Sequence, residues 1–109
     1  MDVQLKRGVL DVSVLAVLGR GDSYGYQIVK DLSPIIGISE STLYPILKRL
    51  EAGGALTVYA VEHNSRLRKY YRITPLGKQR CEDFLTEWQE ITTVYEFIRE
   101  ELNRQHAET

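Results

Sequence analysis

The stretch SESTLYPILKRLEAGG at positions 39–54 decides the fold. Leu43, Ile46, Leu47 and Leu50 recur at i, i+3, i+4 and i+7, which lays one apolar stripe along a helix. Gly53-Gly54 stops that helix, and Ser39, Glu40, Ser41 and Thr42 cluster at its start as capping residues. With Thr42 as the cap, Pro45 lies in the first turn and removes no hydrogen bond, which favours a later start. The face opposite the stripe carries Ser41, Tyr44, Pro45, Lys48 and Arg49.

Two strand-like runs follow, Leu56 to Val61 and Arg68 to Thr74, both rich in β-branched and aromatic residues. The polar segment Glu62-His63-Asn64-Ser65-Arg66 joins them as a hairpin tip. Alternation along the second strand puts Tyr71 with Ile73 on a core face and Tyr70 with Arg72 on the exposed one. Before the decisive stretch, residues 4–19 predict a helix that Gly19 ends, with Asp22 or Ser23 placed to cap the next. Its apolar residues Val9, Leu10, Val12, Val14, Leu15, Val17 and Leu18 cover more than one stripe, which points to packing on two surfaces. A second helix runs from Tyr24 to about Leu32, with Ile28, Val29 and Leu32 inward, until Pro34 and Gly37 break the chain. Helix, helix, helix, hairpin is the order of a winged helix-turn-helix. The fold class is mainly α with a small β-hairpin.

From Pro75, with Thr74 as cap, the pattern changes. Cys81, Phe84, Trp88, Ile91, Tyr95, Ile98 and Leu102 alternate spacings of three and four, an a/d seam sustained for three heptads. A domain of this size cannot cover such a seam, whereas a second copy of the same helix can. The competing reading folds this helix back on its own domain. The expected organisation is thus residues 1–74 as a DNA-binding winged helix and 75–109 as a dimerisation helix.

Charge follows the same division. Residues 1–74 hold ten Lys/Arg against seven Asp/Glu, and residues 75–109 hold four against eight, although the whole chain is formally −1. This suits a DNA-facing body with an acidic segment turned away from phosphate. At 109 residues and 43% hydrophobic, the chain is one globular unit. Cys81 is the single cysteine, so no intrachain disulfide forms and a reducing, cytoplasmic location is expected. The run Val9 to Leu18 after Lys6 and Arg7 imitates a leader, but Asp11 interrupts it and Gly19-Arg20-Gly21-Asp22 lacks a cleavage-site pattern. No stretch is long enough to span a bilayer.

A helix-turn-helix delivers its second helix into the major groove, so Ser41, Thr42, Tyr44, Lys48 and Arg49 are the candidate base and backbone contacts. Arg66, Arg68, Lys69 and Arg72 put four cations in seven residues, interleaved with Tyr70 and Tyr71, as a wing that meets phosphate. Tyr24, at the start of the second helix, joins this set. Enzymatic chemistry finds no support: the two histidines are His63 at the wing tip and His106 in the tail, and no triad, phosphate-cradling loop or metal-ligand spacing occurs, so neither metal nor cofactor is expected. The alternative in another class is a winged-helix interaction module that dimerises without DNA, which has no need of clustered wing cations.

Three ordered motifs carry a resemblance: Tyr24-Gly25-Tyr26-Gln27-Ile28, Ser41 through Glu51, and Arg68 through Gly77. Together they resemble the PadR family of transcriptional regulators, in its smaller subgroup with a single C-terminal helix. The resemblance implies a dimeric repressor on palindromic promoter DNA, released by a small molecule or another signal. It implies a homodimer built from the first helix, with Val9, and the last helix, with Phe84, Trp88, Ile91, Tyr95, Ile98 and Leu102. Some members bind flat aromatic compounds between paired tryptophans on the dimer axis. Trp88 falls at a similar place, with Thr92 and the partner's Val12 or Leu15 as expected walls; its alternative role is to fill the dimer core. Thr92 stands where an acid would favour cationic compounds. Gly54-Ala55-Leu56 departs from the family's bulkier apolar pair, an expected loosening at the start of the wing.

Overall fold

A computed structural model describes residues 3–108 of the chain, and side chains from residue 6 to residue 107. The order is α1 (Val3–Leu18), α2 (Gly25–Leu32), α3 (Glu40–Ala52), β1 (Leu56–His63), β2 (Arg66–Ile73) and α4 (Pro75–Glu108). The core forms where α1, α2, α3 and the base of the hairpin meet. Leu15, Leu18, Ile28, Leu32, Leu43, Leu47, Leu50 and Leu56 are fully buried there, each contributing about 1.5–3 kcal/mol of apolar burial. The i, i+3, i+4, i+7 stripe of α3 is therefore the inner face, and Tyr71 joins the same core from β2.

Local chemistry differs from expectation at three places. Ser39, not Thr42, caps α3, its hydroxyl accepting from the Thr42 amide at 3.2 Å. Pro45 thus lies inside α3, and the Ser41 carbonyl loses its i+4 donor on the exposed face. Neither Asp22 nor Ser23 caps α2. Tyr24 occupies the cap position in extended conformation and makes no side-chain cap bond. The reason is tertiary: Ser23 is a one-residue third strand, exchanging backbone hydrogen bonds with Tyr71 at 3.2 and 2.8 Å. Finally, the hairpin tip is only Asn64-Ser65, both at positive φ (51° and 63°), as a two-residue primed turn requires. The strands extend to pair His63 with Arg66, so Glu62, His63 and Arg66 belong to the ladder.

At the base of the wing, Ala55 and Leu56 are buried rather than loosely packed. Gly77 in the first turn of α4 lies against the Ala55 carbonyl so closely that a Cβ there would sit 2.2 Å from its oxygen. Thr74 caps α4, accepting from the Gly77 amide at 3.1 Å while donating to the Gly54 carbonyl at 2.6 Å. The helix then runs on for 34 residues, about 51 Å at 1.5 Å per residue. The chain measures 70 × 25 × 22 Å, because α4 projects from the domain and does not fold back on it.

Candidate nucleic-acid interface

The exposed side of α3 presents Ser41, Thr42, Tyr44, Pro45 and Lys48 in one row. The Ser39 hydroxyl lies 2.9 Å from that of Ser41 and 3.1 Å from that of Thr42, so three hydroxyls form a linked cluster at the helix start. Tyr44 crosses onto α2 over Gly25. A Cβ on Gly25 would stand 2.8 Å from the Tyr44 hydroxyl, so the Tyr-Gly-Tyr motif of α2 clears room for a ring of α3.

The wing's position follows from the Ser23–Tyr71 bridge. With Ser23 opposite Tyr71, Asp22 neighbours Arg72 and Tyr24 neighbours Tyr70, all on the outer face of β2. Tyr24 meets Tyr70 edge-on at 5.5 Å, Tyr70 stacks on Tyr59 at 5.7 Å, and the Arg68 guanidinium lies 4.0 Å over the Tyr24 ring. This lattice holds Arg68 at the α2 end of the wing by cation–π attraction. Arg72 instead bonds Asp22 at 2.9 Å, and the Tyr59 hydroxyl donates to the same carboxylate at 2.6 Å. The Arg72 hydrogen bond, then that of Tyr59, holds the Asp22 carboxyl below the usual carboxylate range.

Strand alternation divides the four-cation run. Arg66, Arg68 and Arg72 share the outer face with Tyr70, whereas Lys69 shares the other with Leu67 and Tyr71. Arg72 is already neutralised by Asp22. Between α2, α3 and the wing lies an open groove of about 890 Å³. Tyr24, Tyr44, Arg66, Arg68 and Lys69 line it together, so five of the sequence-expected contacts converge. Ser41, Thr42 and Lys48 lie on the adjoining exposed face of α3. Tyr26 and Leu67 also line the groove, and the sequence reading passed over both. Leu67 was legible: alternation puts it on one face with Lys69 and Tyr71, which line the groove as well, and it is 77% exposed.

Arg49 does not belong to this face. Its guanidinium turns inward to Asp11 of α1, a carboxylate only 7% exposed, whose second oxygen lies 3.5 Å from Arg80 of α4. Its Nε is buried without a hydrogen-bond partner among the described residues. Burial of Asp11 requires paired cations nearby, and Arg49, its side chain 38% exposed, supplies one and ties α3 to α1.

Among the described residues, the core and ion-pair contacts of α4 with the domain lie in its first turns. Cys81 packs against the core, its thiol 4.0 Å from the Val12 carbonyl, and burial pushes its pKa up. Phe84 is half-buried and stacks on Trp88 at 5.6 Å. Beyond it the seam is bare: Trp88 is 38% exposed, and Ile91, Tyr95, Ile98 and Leu102 about half exposed. Val94 and Phe97 are equally bare outside the a/d positions, a broadening of the apolar surface that the heptad pattern does not register. On α1, Val9 and Val12 are half-buried at the outer side, and Thr92 is half-buried on α4. Leu15 is 0% exposed inside its own core and is no wall of a site between protomers. A notch of about 310 Å³ beside Val12 is lined by Gly8, Arg80, Asp83, Phe84 and Glu87.

Comparison with known proteins adds the family. The model of the transcriptional regulator PadR-like family matches residues 14–83, from α1 through the wing to the start of α4. The chain belongs to the PadR-like family of transcriptional regulators. It is 35% identical over 101 residues to an uncharacterised protein of Lysinibacillus sphaericus, covering 88% of this chain and 93% of that one. Among solved structures it is similar to a transcriptional regulator from Clostridium thermocellum, with a TM-score of 0.77 at 36% identity, covering 84% of this chain and 94% of the other. It is also similar to Bacillus subtilis PadR in complex with operator DNA, with a TM-score of 0.67 at 29% identity over 71% of this chain and 46% of that one.

This PadR-like chain is accordingly a transcriptional regulator and not an enzyme. Among the described residues no group of His, Cys, Asp and Glu is placed to hold a metal ion. No described helix is long and apolar enough to cross a membrane.

Proposed function

We propose that this PadR-like regulator is a cytoplasmic homodimer that represses transcription by binding a palindromic operator. Residues 1–74 act as the DNA-binding domain and residues 75–109 as the dimerisation helix. The observation that carries the reading is the convergence of Tyr24, Tyr44, Arg66, Arg68 and Lys69 on one groove beside the hydroxyl cluster of α3. Ser41, Thr42 and Tyr44 read base edges, while Lys48, Arg66, Arg68 and Lys69 meet phosphate. The bare seam of Trp88, Ile91, Tyr95, Ile98 and Leu102, with Phe84 at its base and Val9 of α1, pairs with its symmetry mate across a two-fold axis. Two Trp88 side chains then flank the axis with Thr92 and Val12, a place for a planar aromatic ligand whose binding releases DNA. Leu15 has no part in it.

The test is a gel shift with its own promoter at a series of salt concentrations. Expected is a dimer-dependent complex on an inverted repeat whose affinity falls steeply with salt. Equal affinity for any duplex at every salt concentration refutes the reading.

A further inference from the structure

We infer that Arg80 determines how strictly this regulator selects the spacing between operator half-sites, a proposal that rests on the homodimeric operator reading above. The structure assigns this through one buried carboxylate. Asp11 Oδ1 is bonded to Arg49 of α3 and Oδ2 faces Arg80 Nη2 at 3.5 Å, so one α1 side chain ties the DNA-facing helix to the dimerisation helix. Elsewhere α4 is held at its base, by the Thr74 cap on Gly54 and the close approach of Gly77 to Ala55, and by Cys81 against Val12. From Trp88 onward its described apolar side chains are exposed. The base contacts form a pivot about which α4 tilts. Arg80, one turn past Gly77 and next to Cys81, is the ionic tether that resists the tilt from the α1 side.

Geometry converts tilt into spacing. A two-fold dimer joined along α4 places its two α3 helices by the angle at which each α4 leaves its domain. The chain is about 25 Å across its long axis, so a swing of about 4° in each protomer changes the separation of the two far sides by roughly 3.4 Å, the rise of one base pair. A stiff pivot rejects operators one base pair too long or too short, and a loose one accepts them. Arg80 is suited to this because its side chain is 39% exposed and touches Asp11 without being part of the core. Losing it leaves Asp11 still paired with Arg49.

The experiment uses the full chain and a half-site selected by the protein from randomised DNA. Duplexes carry two inverted copies separated by the preferred spacer or by spacers one and two base pairs longer and shorter. Affinities are measured for wild type, Arg80→Met and Arg80→Lys, with sedimentation and thermal unfolding alongside. The wild-type protein is expected to prefer one spacer by at least tenfold. Arg80→Met should remain dimeric and lose most of that preference, with a smaller change on the best operator, and Arg80→Lys should fall between. An unchanged spacer profile in Arg80→Met overturns the proposal, as does an equal loss at every spacer, which a merely structural role would produce. Should Arg80→Met not yield a folded dimer, a wild-type profile in Arg80→Lys overturns it and a broadened one supports it. A wild-type protein that binds no inverted repeat at any spacer overturns instead the operator reading beneath it.

Discussion

Replacing Gly77 by alanine isolates the contact that seats α4 on the domain. Two effects oppose each other. Alanine in a helix interior is favoured over glycine by about 0.8–1 kcal/mol. Against this, the new Cβ would stand 2.2 Å from the Ala55 oxygen and 2.8 Å from an Ile73 side-chain carbon. The oxygen is backbone and cannot rotate away: Ala55 is fully buried, its amide donates to Leu50 at 2.9 Å, and its carbonyl accepts from the Thr74 amide at 3.1 Å. The start of α4 must therefore lift by more than 1 Å to reach ordinary contact. Lifting breaks the Thr74–Ala55, Thr74–Gly54 and Gly77–Thr74 hydrogen bonds, each worth about 0.5–1.5 kcal/mol. The clash outweighs propensity, for a net destabilisation of about 2–3 kcal/mol. At roughly 4–8 °C per kcal/mol for a domain of this size, the melting temperature should drop by about 10–20 °C. Thermal and urea unfolding at fixed protomer concentration measure it, since association raises apparent stability. A Gly77→Ala protein within about 0.5 kcal/mol of wild type refutes the claim that this close approach is rigid.

Other outcomes follow from the same structure. Arg66→Ala and Arg68→Ala should weaken binding to all duplexes alike and reduce the salt slope by about one unit per lost phosphate contact, whereas Ser41→Ala or Thr42→Ala should change which operator a selection recovers. Ile91→Glu with Tyr95→Glu should leave a folded monomer, seen by sedimentation with helical content retained, because both side chains are bare in the single chain. Asp22, whose folded carboxyl is held below the usual range, contributes stability that is present above the unfolded value and lost as pH falls through the folded one. The stability difference between wild type and Asp22→Asn should accordingly shrink on acidification, and a difference constant with pH contradicts the Asp22–Arg72–Tyr59 contact. If the Trp88 pair flanks a ligand site, planar aromatic dyes should quench its fluorescence, and an unresponsive Trp88 returns it to filling the dimer core.

Much of this protein was legible in one dimension, because helices and strands declare themselves through periods set by their own backbones. The stripe Leu43, Ile46, Leu47, Leu50 gave the inner face of α3, alternation separated Tyr71 from Tyr70, and unbroken heptad spacing marked α4 as longer than its domain can cover. Thr74 before Pro75 marked where α4 starts. Tertiary structure decided what these periods leave open, namely the partner of each polar side chain. Arg49 reads as a DNA cation beside Lys48 until α1 brings Asp11, 38 residues away in sequence, against it. Asp22 and Ser23 have the chemistry of helix caps, yet a strand that arrives much later in the chain claims both, one through its backbone and one through Arg72. Leu15 and Val12 look alike on α1, and only packing of α2 and α3 on one side sends the first inside and leaves the second at the rim. Local periodicity is written in neighbours three or four residues apart and survives without the fold. The pairing of a charge depends on which helices share a carboxylate, and that exists only once the core has closed around Asp11.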